Sequence, residues 1–361
     1  MDDDTILEAL ARRRPGRVGA AWRVERCGVA PWAGRGLRAR RQRSLAQDAD
    51  RPVAMLSAAA VSRRCGLFAY PAQSNFTGVQ HPLDWIETAH EHGYDVLLDA
   101  AAYVPSNRLD LSSVKPDFVP VSWYKVFGYP TGVGCLIARR EALRRLWRPW
   151  FAGGSVSVAS ALGDWHTLAG DEARFEDGTL SFLQIPDLAF GLSWVNKIGM
   201  DLIHQRVVCL TGWLIDRLLG LRHGNGEPMA RIYGPASNCD RGGTVAFNLL
   251  DPSGRVVDER AVARATAAAG ISIRTGCFCN PGAGEGAFQL TKADWRRALR
   301  GHARTLDQYV DLLGLPSGGA LRASVGLASN VDDVERFLVF LEMTYRNHVV
   351  DTAGLTPWQG C

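Results

Sequence analysis

The sequence lacks long apolar runs, and nowhere in its 361 residues does one approach the roughly 20 residues that a membrane-spanning helix needs. The opening residues Met1 to Asp4 have neither the basic nor the apolar part of a secretory signal. A net charge of +4 is small for this length and indicates no polyanionic partner. The eight cysteines lack the close spacing of a small disulfide scaffold, which suits a reducing compartment. These absences predict a globular, cytoplasmic protein with no nucleic-acid partner and no membrane partner.

Residues 1–60 differ from the rest of the chain, because they contain no lysine but many arginines. A basic run of this kind can be a nucleic-acid arm, but a solvated leader is the favoured interpretation. The segment has no Gly-x-Thr-x-Ala-like stretch that could form a small-residue turn at the start of a helix. The chain also has no histidine before His81. We therefore treat residues 1–60 as an atypical arginine-rich segment.

Two apolar runs that end in polar side chains form the first chemical centre. Val96 to Asp99 predicts a buried strand that delivers Asp99 to the carboxyl edge of a sheet. Asp117 to Ser122 predicts a second strand, which is followed by Lys125 and then by a glycine-rich turn. Because burial disfavours the charged ammonium, a lysine in this position is paired or chemically used. The alternative is a surface lysine on a glycine-rich hairpin.

A lysine, an aspartate and a serine in this arrangement suit pyridoxal phosphate. A lysine of lowered pKa can form a Schiff base with a carbonyl, which is the role that Lys125 would take. Asp99, ionised opposite the ring nitrogen, would keep that nitrogen protonated. Ser122 could donate its hydroxyl to the phosphate.

Segments 99–101 and 122–134 resemble the class V aminotransferase and cysteine desulfurase superfamily, and most resemble the desulfurase domain of molybdenum cofactor sulfurases. The resemblance covers roughly residues 66–345. It implies that Lys125 is the Schiff-base lysine of pyridoxal 5'-phosphate and that Asp99 is the partner of the pyridine nitrogen. It also implies an α/β fold of PLP-dependent fold type I, with a large, mainly parallel-sheet domain and a smaller α+β domain.

The resemblance also sets the expected domain limits. We expect the large domain over residues 61–200 with its N-terminal part missing or divergent, the small domain over 201–350 and a tail over 351–361. Relatives hold the cofactor phosphate on backbone amides at a small-residue turn that opens a helix, and residues 1–60 show no such turn. Ala102 stands where desulfurases often have a glutamine that contacts the cofactor. A non-catalytic, cofactor-free scaffold of the same fold therefore stays open.

Two loops complete the site that the resemblance implies. Gln73 to Gly78 follows a predicted strand and so lies at the carboxyl edge of the sheet, where ligands gather. By resemblance, Asn75 in this loop contacts the cofactor's 3-hydroxyl. Segment 153–155 resembles the loop through which a neighbouring subunit completes the phosphate site, which assigns Ser155 to the cofactor and implies a homodimer. From the residues alone, both loops are ordinary turns.

The second chemical centre contains two cysteines between Gly276 and Pro281, which predicts an exposed loop. A thiol acts as a nucleophile only as the thiolate, which nearby Arg274 favours. The resemblance implies that Cys279 takes sulfur from L-cysteine as a persulfide and releases alanine, with Cys277 a less favoured participant. Inert half-buried thiols are the alternative. A zinc site is disfavoured, because no second Cys or His pair lies at ligand spacing nearby.

Arg322 lies on a predicted apolar strand, before a helix that Asn330 would cap. A guanidinium can hold a carboxylate through two parallel hydrogen bonds, and the resemblance implies that Arg322 binds the substrate's α-carboxylate. A surface arginine on an edge strand is the alternative. The sequence thus predicts a PLP-dependent, cysteine desulfurase-like enzyme for L-cysteine or another small amino acid, with an unidentified sulfur acceptor. A class V aminotransferase or lyase acting on another amino acid stays open.

Overall fold

The first sheet of the fold has four strands in the order β1-β2-β3-β4. The computed structural model describes residues 66–148, 150–302 and 304–357, so the atypical segment 1–60 lies outside the described residues. The first three strands run parallel, whereas β4 runs antiparallel to β3, and the predicted mainly parallel sheet is present. The strands are β1 (Leu67–Pro71), β2 (Asp95–Asp99), β3 (Phe118–Ser122) and β4 (Gly134–Ala138).

A crossover helix, α1 (Trp85–Glu91), connects β1 to β2 and makes their parallel pairing possible. It buries Trp85, Ile86 and Ala89 in one core with the apolar residues of both strands. Burying an isoleucine-sized side chain stabilises the fold by about 1.5–3 kcal/mol. The residues just before Trp85 form a turn, and the helix begins after it.

Lys125 lies on a short helix, α2 (Trp123–Phe127), which comes between the predicted strand and the predicted glycine-rich turn. The turn follows the helix, which ends at Gly128 with φ of +81°, a conformation that favours glycine. The elements that follow are α3 (Arg140–Arg145), β5 (Val156–Ser160), β6 (Trp165–Leu168), a 3-10 helix (Asp171–Phe175), α4 (Ile185–Ile198) and α5 (Met200–Gly220). Strands β5 and β6 pair as an antiparallel hairpin, which the sequence did not predict.

The second sheet is antiparallel throughout, with the strand order β7-β8-β10-β9. Arg322 lies on β10, an interior strand between β8 and β9, so the edge-strand alternative for this residue is wrong. The strands are β7 (Ala230–Tyr233), β8 (Thr244–Leu249), β9 (Arg274–Gly276) and β10 (Ala320–Ser324). The helices are α6 (Glu259–Ala268), α7 (Pro281–Ala287), α8 (Lys292–Arg300), α9 (Leu306–Leu313) and α10 (Val331–Tyr345).

The largest core lies between this sheet and the two long helices α5 and α10. Leu214 and Leu218 of α5, Phe247 of β8 and Leu338 and Leu341 of α10 all belong to it. The two sheets fall within the predicted domains, whose exact limits stay predictions. Within the described ranges, no helix combines the length and the apolarity needed to cross a membrane.

Candidate active site

The carboxyl edge of the first sheet brings together two predicted cofactor residues. Asp99 ends β2 and Ser122 ends β3, and because these neighbouring strands are parallel, both residues lie at the same edge. Asp99 is half-buried, and its Oδ1 accepts the Ala101 N–H at 2.9 Å. Ser122 precedes α2 but makes no capping hydrogen bond to that helix through its side chain. Its hydroxyl is therefore not used by the helix start.

Lys125 is half-buried on α2, with its Nζ 5.9 Å from the centroid of the Tyr124 ring. Helix α4 packs closely behind it: a Cβ added to Gly191 would lie 2.8 Å from the Phe127 ring. Phe127 also stacks on Trp123, with ring centroids 6.1 Å apart. Because close-packed interiors tolerate little added volume, these contacts fix the helix that presents the lysine.

Arg322 reaches from the second sheet to the loop after β1. Its Nη1 donates to Asn75 Oδ1 at 2.7 Å and to Asn75 O at 3.0 Å. Its Nε is buried and has no hydrogen-bond partner within the described residues. Burial lowers the pKa of the Arg322 guanidinium, and the neighbouring Arg274 cation lowers it further. A buried guanidinium with an unused donor beside a second cation is a favourable place for a carboxylate.

Cys279 lies in a four-residue turn in which the Asn280 N–H donates to Cys277 O at 2.9 Å. Its thiol is free and the residue is exposed. Cys277 is half-buried and disulfide-bonded, and Phe278 and Asn280 are buried, so the loop that was expected to be exposed is exposed only at Cys279. Asn280 also accepts the Ala283 N–H and thereby caps α7. The cap fixes the end of the turn against a helix.

Arg322 contacts the turn that contains Cys279 and is within electrostatic range of α2. The Arg322 guanidinium lies over the Phe278 ring, 4.8 Å from its centroid. The same guanidinium interacts electrostatically with Cys279 and with Tyr124, and both interactions favour its charged form. Because Tyr124 is on α2, the guanidinium is within electrostatic range of both the lysine-bearing helix and the exposed thiol.

Two of the predicted cofactor contacts have other partners in this structure. Asn75 uses its side-chain oxygen for Arg322, and its amide NH₂ donates to Phe278 O at 2.8 Å. Ser155 is fully buried, and its Oγ donates to Ala152 O at 2.7 Å and accepts the Ala152 N–H at 2.9 Å. Their roles toward a cofactor stay predictions, and each role requires these hydrogen bonds to be shared or exchanged.

Sequence reasoning missed Arg241, a buried arginine that fastens the Asn75 loop to the second sheet. Its Nη2 donates to Thr77 O at 2.7 Å and to Thr244 O at 2.9 Å, and its Nη1 donates to Pro235 O. Burial lowers the pKa of the guanidinium to about 10. In the sequence, the only local sign of this role is the pair Gly242 and Gly243 after Arg241, because glycines let two backbones approach closely.

The side chains of the candidate site, from both sheets, fit pyridoxal phosphate. They supply an ammonium on α2, a carboxylate and a hydroxyl at the ends of neighbouring strands, and a buried guanidinium with an unpartnered donor for a substrate carboxylate. This donor set matches the groups of the cofactor and of an amino acid bound to it. The N-terminal phosphate-binding turn that the sequence does not show would fall outside the described residues.

Solved structures with the same architecture define the class of fold. The cysteine desulfurase of Thermococcus onnurineus NA1 is similar, with 23% sequence identity and a TM-score of 0.63 over 82% of this chain and 63% of that chain. The cysteine desulfurase CsdA of Escherichia coli is similar, with 21% identity and a TM-score of 0.60 over 81% of this chain and 61% of that chain. The fold is PLP-dependent fold type I.

The family model for class V aminotransferases matches residues 45–337, and the chain belongs to this family. Human molybdenum cofactor sulfurase is 37% identical in an alignment of 291 residues, which covers 76% of this chain and 32% of that protein. The chain spans about a third to two fifths of the length of the curated relatives that it matches.

Proposed function

We propose that this chain is a PLP-dependent cysteine desulfurase, which moves the sulfur of L-cysteine onto Cys279 as a persulfide and releases alanine. The observation that carries the proposal is that the Arg322 guanidinium packs on Phe278, next in sequence to the exposed Cys279 thiol, and is within electrostatic range of α2, the helix of Lys125. This arrangement provides a carboxylate clamp, a nucleophile and a lysine in one place. The identity with molybdenum cofactor sulfurases supports sulfur chemistry over amino transfer.

The residues at the first sheet would hold the cofactor. Lys125 would bind its carbonyl carbon, Asp99 would face the ring nitrogen, and Ser122 would donate to the phosphate. Asn75 would contact the 3-hydroxyl, and Ser155 would serve the site of a second subunit. When bound, pyridoxal phosphate withdraws electrons from the substrate's α-carbon. Lys125 would also move the proton at the substrate's α-carbon.

The residues at the second sheet would bind and cleave the substrate. Arg322 would hold the α-carboxylate through its unpartnered Nε. The Cys279 thiolate then attacks the substrate sulfur, so that an S–S bond forms while the Cβ–S bond breaks. The electron pair of the broken bond stays on the carbon skeleton, which takes up a proton and leaves as alanine. The carbon is reduced as the sulfur is oxidised, so no external oxidant is needed before an acceptor, still to be identified, takes the sulfur.

A homodimer is part of the proposal. Large apolar side chains are exposed along the segment that contains α4, and they include Phe182, Leu183, Phe190 and Trp194. Phe190 is 78% exposed and Leu183 is 80% exposed, which is unfavourable for apolar groups unless another surface covers them. A second copy of this chain is the covering surface that we propose, since the family resemblance implies a shared site.

The test is the visible spectrum of the full chain after incubation with pyridoxal phosphate, followed by addition of L-cysteine. We expect an absorption band that Lys125→Ala abolishes, formation of alanine and, with dithiothreitol added to reduce the persulfide, release of sulfide. Cys279→Ala should stop sulfide release, while Cys239→Ala, which removes another exposed free thiol, should not. Turnover that survives Cys279→Ala would instead indicate a class V aminotransferase or lyase. Absence of a Lys125-dependent band would indicate a cofactor-free scaffold.

A further inference from the structure

The turn that presents Cys279 has a backbone conformation that its residues disfavour. Phe278 and Cys279, the two central residues, have φ of 53° and 56°. This left-handed region is unfavourable for residues other than glycine and persists only where the surroundings fix it. The turn therefore requires an anchor.

Phe278 provides such an anchor through its side chain, in addition to the Asn280 cap and the disulfide at Cys277. It is 4% exposed and belongs to a core cluster with Phe76, Tyr233, Ala246 and Ala320. Its ring centroid lies 5.3 Å from that of Phe76 in a tilted arrangement, which is a favourable aromatic geometry. The exposed thiol is thus next in sequence to a fully packed aromatic residue.

Phe278 also contacts Arg322, which would bind the substrate carboxylate, and Asn75, which accepts a hydrogen bond from Arg322. The Arg322 guanidinium lies 4.8 Å from the ring centroid, within the range of a cation–π interaction. The Phe278 carbonyl accepts the Asn75 amide N–H at 2.8 Å, and Asn75 accepts from Arg322 at 2.7 Å. Phe278, Asn75 and Arg322 therefore form a closed set of contacts, with Cys279 attached to it directly.

We infer that Phe278 is a positioning residue, which fixes the Cys279 thiol relative to the guanidinium of Arg322. When Arg322 binds the substrate carboxylate, the substrate sulfur lies at a fixed distance from Arg322. Phe278 fixes the position of the Cys279 thiol that attacks this sulfur. A misplaced thiol slows the attack without weakening carboxylate binding, because misplacement acts on the reacting geometry. The catalytic part of this inference rests on the proposed function, whereas the anchoring of the turn does not.

The test measures the rate at which iodoacetamide alkylates Cys279 in the full chain without substrate, by site-resolved mass spectrometry. Cys209 and Cys239 are exposed free thiols and serve as internal references. We expect Phe278→Ala to raise the Cys279 rate about tenfold by releasing the turn, and Phe278→Leu to raise it less. Phe288→Ala is the matched control, because Phe288 also packs on Tyr233 and is a neighbouring phenylalanine.

Turnover adds a second readout. With L-cysteine, Phe278→Ala should lower kcat about tenfold while KM changes by less than about twofold. An unchanged Cys279 alkylation rate in Phe278→Ala, or an equal rise at all three cysteines, overturns the positioning role. If no form of the protein turns over L-cysteine but the selective rise at Cys279 appears, the proposed function is wrong and the positioning role stands.

Discussion

Arg322 and Asn75 are 247 residues apart in the sequence, yet the Arg322 Nη1 donates to the Asn75 Oδ1 at 2.7 Å. The contact joins the interior strand β10 of the second sheet to the loop after β1 of the first sheet. It holds the guanidinium by one nitrogen and leaves the buried Nε unpartnered among the described residues. The candidate carboxylate site is thus preorganised by a residue that was itself predicted to bind the cofactor.

Arg322→Lys tests the carboxylate clamp. We expect KM for L-cysteine to rise about 10- to 100-fold with a smaller change in kcat, because an ammonium lacks the planar pair of donors that a carboxylate accepts from. Arg231→Lys, an exposed arginine on β7, is the control and should leave KM unchanged. Steady-state kinetics with L-cysteine measure both variants, and an unchanged KM in Arg322→Lys contradicts the assignment.

Gly78→Ala tests how closely the Asn75 loop must approach the second sheet. A Cβ at Gly78 would lie 2.2 Å from the Thr244 carbonyl oxygen, whereas one at Gly132 would meet nothing within 4 Å. Both glycines have φ of +76°, so Gly132→Ala measures the backbone strain alone. We expect Gly132→Ala to lower the free energy of unfolding by about 1–2 kcal/mol and Gly78→Ala by about 1–3 kcal/mol more. Urea unfolding gives both values, and equal losses would rule out the steric contribution.

Phe190→Glu tests the proposed dimer surface. A charge at this position should disfavour burial against a second copy and shift the protein toward the monomer. Met343→Glu is the matched control, because Met343 on α10 is 77% exposed and Phe190 is 78% exposed. Size-exclusion chromatography with light scattering measures the mass of each. A dimer that survives Phe190→Glu, or one that Met343→Glu disrupts equally, places the interface elsewhere.

Asp251→Asn tests a pH-dependent contribution to stability. Burial by itself raises the pKa of Asp251, but hydrogen bonds from Ser253 and Arg255 outweigh it and lower the pKa from 3.8 to about 2. A lowered pKa means that the carboxylate stabilises the folded protein above about pH 4 and loses this effect as pH falls through 2. We expect the wild type to be more stable than Asp251→Asn near neutral pH, with the difference shrinking below pH 4. Urea unfolding between pH 3 and 7 measures it, and a difference that does not change with pH would contradict this account.

Local features of the fold were predictable because short-range sequence patterns decide them. The apolar runs ending at Asp99 and Ser122 form β2 and β3, as expected. Asn330 caps α10, and its side chain accepts the Asp333 N–H at 2.9 Å in a capping box. Such contacts lie within a few residues of each other, so the sequence is sufficient to indicate them.

The tertiary structure alone decided how the site is joined. The Asn75 amide and the Phe278 carbonyl are 203 residues apart, and their hydrogen bond depends on the parallel crossover of one sheet and the antiparallel register of the other. The sequence nominated Lys125, Asp99, Arg322 and Cys279 by residue type and by family resemblance. That Phe278 anchors the thiol beside the arginine follows only from packing, because apolar contacts are non-directional and no short sequence pattern specifies their partners.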